Sequence, residues 1–128
     1  MSNFTFTSTT NAPRAIGPYS QAVSVGSMIY TSGQIGFDPI TMELKQGLEN
    51  QANQVMENLK AVLEGSDSNL NNVIKTTVFL KDMNDFAAFN EIYMNHFQSH
   101  RPARSCVQVA RLPKDALVEV ECIAARIN

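Results

Sequence analysis

The sequence predicts an α+β fold: a six-stranded mixed sheet with two helices on one face, in the order β-β-β-α-β-α-β-β. Three observations predict it. Short runs of β-forming residues alternate apolar and polar side chains, as half-buried strands do. Two longer runs place their apolar residues at helical spacing. Strand–helix–strand recurs twice, with no internal sequence repeat. Two helices can cover one face of such a sheet but not both. The bare face still carries apolar residues, so the chain is expected to self-associate with its sheets packed together.

The first strand is read at Phe4-Thr-Phe-Thr-Ser8, with Phe4 and Phe6 on one face. Asn11-Ala-Pro13 ends it, and residues 15–20 (AIGPYS) form a loop punctuated by Gly17-Pro18. Residues 22–25 and 28–31 form a hairpin around Gly26-Ser27, and glycine at the first turn position suits a type II′ turn. Gly33 and Gly36 flank Gln34-Ile35. They mark either a bulge or a place where something approaches the backbone. The first helix is read over 48–65, with its stripe at Leu48, Ala52, Val55, Met56, Leu59, Val62 and Leu63 and with Gly65 as the residue just past its end. Residues 73–80 form a strand with Ile74, Val78 and Leu80 on one face. Asp82 is placed to cap the second helix, which runs to about Phe97 with Phe86, Phe89, Tyr93 and Phe97 as its stripe. His96 and His100 fall at or beyond its end, in solvated or capping positions.

The last two strands are read at 104–110 and 118–125. The first carries Arg104, Cys106 and Gln108 on one face; the second carries Glu119, Glu121 and Ile123 on one face and Val118, Val120, Cys122 and Ala124 on the other. Strands that only needed burial would not usually hold an arginine, a thiol and two carboxylates. Such groups on rigid strands point to a site for a small charged molecule.

The 128 residues make one domain, 1–128, the natural expectation. A net charge of −2 and no run of Lys and Arg argue against a nucleic-acid binder held by electrostatics. Residues 1–11 lack the basic and apolar regions of a secretory signal, and no stretch approaches the length of a membrane span. Two cysteines without metal or disulfide spacing read as free thiols in a reducing compartment, and the expected location is the cytoplasm. No phosphate loop, zinc ligand set or Ser-His-Asp arrangement is visible, and no histidine is placed to activate Cys106.

What remains is Arg104 with Glu119, helped by Tyr19, Ser32 and Gly33. The arginine fork gives a carboxylate two parallel charge-assisted hydrogen bonds. A glutamate can take a proton from water or orient it. A glycine lets a ligand approach the main chain. Together these suit hydrolysis of a small, reactive, carboxylate-bearing molecule. Arg104 and Glu119 could equally form an ion pair at a subunit interface, and Glu121 fits the pattern as well as Glu119. A plain hairpin through 112–117 would set Arg104 near Ile123 and far from Glu119. So either the two strands are not adjacent or the site is assembled between subunits.

The segment 102–121 (PARSCVQVARLPKDALVEVE) closely resembles the signature of the RidA/YjgF family. Residues 15–22 (AIGPYSQA), 31–35 (TSGQI), 73–78 (VIKTTV) and 84–86 (NDF) are similar to other blocks of that family, in the same order. The resemblance covers nearly the whole chain. It implies a chorismate-mutase-like fold assembled as a homotrimer with sites in clefts between subunits. It implies 2-iminobutanoate/2-iminopropanoate deaminase activity: hydrolysis of enamines and imines such as 2-aminoacrylate and 2-aminocrotonate to 2-oxo acids and ammonia, with no pyridoxal phosphate, other cofactor or metal. Carried over by position, Arg104 binds the substrate carboxylate and Glu119, chosen over Glu121, handles water. The main chain at Cys106, together with Tyr19, Ser32, Gly33 and Asn90, lines the pocket. Two positions depart from the pattern, Met42 where glycine is common and Arg101 where an aromatic residue is common, and Arg14 in the loop before Ile16 is a second rim charge. The alternatives are a non-catalytic binder of small carboxylates and the translation-inhibitor or ribonuclease roles described for some relatives.

Overall fold

A computed structural model describes residues 3–127; residues 1, 2 and 128, which the one-domain reading includes, lie outside the described residues. The strands are β1 (Phe4–Thr7), β2 (Ala22–Val25), β3 (Met28–Thr31), β4 (Val73–Leu80), β5 (Ala103–Gln108) and β6 (Val118–Ala125); the helices are α1 (Leu48–Glu64) and α2 (Phe86–Phe97). They build one six-stranded sheet in the order β1-β2-β3-β6-β4-β5. Only β4 and β5 pair in parallel, so the sheet is mixed, as expected. A parallel pair needs a crossover, and α2 supplies it. β3 and β4 also run the same way, joined by α1, but β6 lies between them and pairs antiparallel with both. The C-terminal strand thus enters the middle of the sheet. β5 and β6 are not neighbours, because β4 separates them.

Both helices lie on one face. Val55, Met56, Leu59, Val62 and Leu63 of α1 and Phe89, Tyr93 and Phe97 of α2 close a core over Ile29, Val78, Leu80, Val118 and Val120. Each such side chain contributes roughly 1.5–3 kcal/mol when fully buried. Gln51 and Asn58 of α1 are also buried. They act as tethers: Asn58 Nδ2 donates to the carbonyls of Ile35 (3.1 Å) and Phe37 (2.9 Å), and Gln51 joins Lys45 O and Leu117 N–H. Gly26 has φ 58, as its turn position requires.

Three expectations need correction. Gly65 is right-handed (φ −70). It does stand just past the end of α1, but the left-handed residue that turns the chain is Asp67, with φ 62, and Ser68 N–H and Asp67 N–H return to the carbonyls of Leu63 and Glu64. Glycine stands at 65 because a Cβ there would meet the side chain of Thr9 at 3.2 Å. Ile74 does not share the face of Val78 and Leu80: a register shift between Val73 and Lys75 buries Val73 and turns Ile74 outward. The histidines do more than meet solvent. His100 Nε2 bonds the carbonyl of Val73 at 2.7 Å, and His96 Nε2 bonds Asn53 Oδ1 at 2.9 Å, linking α2 to α1.

Candidate active site

Six of the seven predicted site residues fall into two cavities; Cys106 lines neither of them. The first, of about 470 Å³, includes Tyr19, Ser32, Gly33, Glu119 and Glu121 in its lining. Its floor is a bulge. Tyr30 pairs with Ile123 and Gln34 with Val120, so three residues on one side oppose two on the other. Thr31 Oγ1 covers the gap by accepting the Cys122 N–H at 3.0 Å. Gly33 lies against the Glu119 carboxylate: a Cβ there would stand 2.1 Å from Oε2. Both sequence readings of these glycines therefore hold, since the segment is a bulge and also a close approach. Gly36 meets the backbone of Gln51 in the same way.

Polar side chains, among them the buried Gln21, hold the loop over this cavity. Gln21 donates from Nε2 to the carbonyls of Thr9 (3.0 Å) and Pro13 (2.8 Å) and accepts the Thr9 N–H at 2.7 Å. Ser32 Oγ donates to the carbonyl of Ser20 at 2.6 Å. Tyr19 N–H closes a tight turn onto Gly17 O around Pro18, and its hydroxyl accepts the Ile16 N–H at 3.3 Å. Half-burial raises the Glu119 pKa above the usual glutamate value, and the neighbouring charge of Glu121 raises it further. Glu121 is therefore more than a structural neighbour; it lines the same space and favours the protonated form of Glu119.

The second cavity, of about 290 Å³, holds Arg104 and Asn90. Arg104 Nη1 donates to Asn90 Oδ1 at 2.8 Å, and its guanidinium lies 4.9 Å from the Tyr93 ring centroid and 5.4 Å from that of Phe86. Such stacking fixes the fork while leaving donors for a ligand. Tyr93 is anchored in turn to Thr76 Oγ1 at 2.8 Å. Cys106, two residues on, is half-buried; burial raises its thiol pKa and the charge of Arg104 partly offsets that. Its elevated pKa and the lack of a base beside it make it a poor nucleophile.

The two cavities do not meet within one chain. Arg104 pairs with Thr76 and Thr76 with Cys122, so these three share the helix-covered face. Glu119 pairs with Phe79 and Phe79 with Val107, at the opposite parity, on the bare face. Among the described residues Arg104 and Glu119 form no ion pair. No group of three His, Cys, Asp or Glu side chains among the described residues could hold a metal, and no helix there is long and apolar enough to cross a membrane. Sequence reasoning missed Gln21, Gln51 and Asn58. The last two did leave a signal: amides seven residues apart, on the inner edge of an apolar helical stripe.

An open mixed sheet with both helices on one face, and a cavity on either side of it, defines an α+β protein. A family model described as endoribonuclease L-PSP matches residues 9–126, and the chain belongs to this family, the RidA/YjgF family. A relative from Salmonella typhimurium named 2-iminobutanoate/2-iminopropanoate deaminase is 52% identical over 121 residues, 92% of this chain and 94% of the relative. A RutC family protein of Pyrococcus horikoshii is 54% identical over 117 residues, 91% of this chain and 93% of the relative. The crystal structure of RidA from the Antarctic bacterium Psychrobacter is similar with a TM-score of 0.93 and 50% identity, over 94% of this chain and 98% of that one. That of Escherichia coli TdcF with bound serine gives 0.92 and 48%, over 96% and 99%.

Proposed function

We propose that this protein is a cofactor-independent deaminase that hydrolyses 2-aminoacrylate, 2-aminocrotonate and their imines to 2-oxo acids and ammonia. The observation that carries this reading is the half-buried Glu119 carboxyl, raised in pKa and pressed against the bare main chain of Gly33 in a cavity that fits a small imine. A carboxyl whose pKa is raised by burial can give a proton to the imine nitrogen and take one from the attacking water. Water adds to the C=N carbon, and the carbinolamine then releases ammonia and leaves the 2-oxo acid. Arg104 holds the substrate carboxylate through its fork. The Salmonella relative's deaminase name and the match across nearly its whole length support the assignment.

Because Arg104 and Glu119 face opposite ways, one substrate can reach both only across a subunit boundary. We read the working unit as a homotrimer whose clefts take Arg104, Asn90 and Cys106 from one copy and Tyr19, Ser32, Gly33 and Glu119 from the next. A repeating head-to-tail contact of this kind closes into a ring. The bare face offers the surface for it: Phe6, Val25, Tyr30 and Val107 all lie exposed there. A coupled dehydratase assay on wild type and Arg104→Ala, with light scattering for mass, tests both points. A monomer at micromolar concentration, or full activity in the variant, would sink the reading. A second reading, small-carboxylate binding without turnover, is favoured by the serine bound to TdcF. In the same assay it leaves the spontaneous decay of the imine unchanged. The endoribonuclease description of the family finds little electrostatic support in a chain of net charge −2.

A further inference from the structure

The cavity that holds Arg104 contains a second guanidinium. Arg101 lines the same space of about 290 Å³, and none of the lining residues is acidic. Arg101 follows the end of α2, where Gln98 turns the chain with φ 60. Its Nη1 donates to the carbonyl of Gln98 and to that of His100 (2.9 Å). These bonds pin the head of a long side chain and leave Nε and Nη2 without a partner among the described residues. Nor does Arg101 belong to an ion pair there. Both arginines lie close enough to Tyr93 for their charges to favour its ionised form. Two fixed cations therefore share one small cavity with no counter-ion. A monocarboxylate satisfies one of them; a ligand with a carboxylate at each end satisfies both.

We propose that Arg101 is a second anion clamp and that the site accepts imines derived from dicarboxylic amino acids, with the α-carboxylate on Arg104 and the side-chain carboxylate on Arg101. The proposal rests on the deaminase reading for its chemistry, which is unchanged. Water adds across C=N, the C–N bond breaks, ammonia leaves, and a 2-oxo dicarboxylate remains, with no oxidant or reductant consumed. Arg101 touches the remote end of the substrate, so its effect falls on binding of the longer molecule and on specificity.

The test compares imines released by flavin amino-acid oxidases from aspartate and from 2-aminobutyrate, with catalase present, in wild type, Arg101→Ala, Arg101→Glu and Arg101→Lys. The ratio of kcat/KM for the dicarboxylate imine over the monocarboxylate imine should fall about ten-fold in Arg101→Ala, chiefly through KM for the dicarboxylate. It should fall further in Arg101→Glu, whereas Arg101→Lys keeps most of it. A ratio within about two-fold of wild type in both Arg101→Ala and Arg101→Glu overturns the clamp. Calorimetric titration with 2-oxoglutarate and 2-oxobutanoate separates the two readings. If wild type hydrolyses neither imine yet prefers 2-oxoglutarate in an Arg101-dependent way, the clamp stands and the deaminase reading falls. If it hydrolyses 2-iminobutanoate but shows no Arg101-dependent preference for 2-oxoglutarate, the clamp falls and the deaminase reading stands.

Discussion

The two cavities are built by different means. The Glu119 side is made of loops and a bulge, held by amide tethers from Gln21, Gln51 and Asn58 and shaped by the bare main chain of Gly33. The Arg104 side is made of packed aromatic rings, Phe86 and Tyr93, on a helix that belongs to the core. One side presents two carboxylates with Arg14 at its lining, and the other two arginines and no acidic residue. The difference teaches a division of labour. The aromatic side holds a charge in a fixed place, and the loop side holds a titrating group.

If that division is right, the largest effect comes from removing the fixed charge. Arg104→Ala should lower imine hydrolysis by about 2–5 kcal/mol of transition-state stabilisation, with the circular dichroism spectrum unchanged. Arg104→Lys should recover only part, because a point charge lacks the fork. The next largest effect is on the loop side. Gly33→Ala forces a Cβ to within 2.1 Å of the Glu119 oxygen, so the carboxylate must move. A displacement of about 1 Å can cost on the order of 10²-fold in rate. Steady-state kinetics on the folded variant should show the loss mainly in kcat. Wild-type kcat in Gly33→Ala would mean that Glu119 need not sit where it does.

The sequence made the core-built side and the element order legible, and much less of the loop-built side. Strand alternation and helical stripes arise from burial against one sheet, so they survive as patterns in the chain, and β6 begins and ends where its alternation does. Ile74 shows where this fails: one bulge inverts the pattern upstream of it. The insertion of β6 between β3 and β4 left no local trace, because strand neighbours are chosen by tertiary packing. Of the site, the residue types were visible, and a plain hairpin through 112–117 would already have set Arg104 far from Glu119. Their placement on opposite faces needed the parity across three strands, 104 to 76 to 122 and 107 to 79 to 119. Gln21 was invisible because a lone amide in a loop carries no periodic signal.

The titrating group sharpens the comparison next. Burial favours neutral Glu119, so its pKa in the folded chain lies above the ordinary value of 4.5. Stability that depends on this group is fully present below that ordinary value and is lost as pH rises through the folded pKa. Glu119→Gln should therefore be more stable than wild type at neutral pH in urea titrations, with the gap closing near pH 4.5, while hydrolysis is lost. Glu121→Gln removes the second cause of the shift and should move the acidic limb of the pH–rate profile to lower pH. An unmoved limb would show that the limb reports some other group.

The smallest effect concerns where backbone strain is kept. Among the described residues, five non-glycine residues have positive φ: Met42, Asp67, Gln98, Lys114 and Asp115. Lys114 and Asp115 follow Pro113, which lines the Glu119 cavity, and Met42 lies in the loop after Phe37, which lines it too. Gln98 alone lies at the end of α2, on the arginine side. Strain thus gathers on the side built from loops. Met42, at φ 59, occupies a conformation that glycine adopts without penalty, and its N–H returns to the Asp38 carbonyl at 2.8 Å to close the turn. Asp38 braces the same turn by accepting the N–H groups of Ile40 and Thr41, bonds that hold its carboxyl below the usual aspartate range. Met42→Gly keeps every one of these main-chain bonds while removing the left-handed penalty. The freer unfolded chain and the loss of a half-buried side chain offset part of the gain. The net expectation is a gain of about 0.5 kcal/mol in the urea midpoint analysis with the slope unchanged. A destabilised Met42→Gly would mean that the methionine packs for more than its conformation costs, and that the loop-built side is less strained than its dihedral angles say.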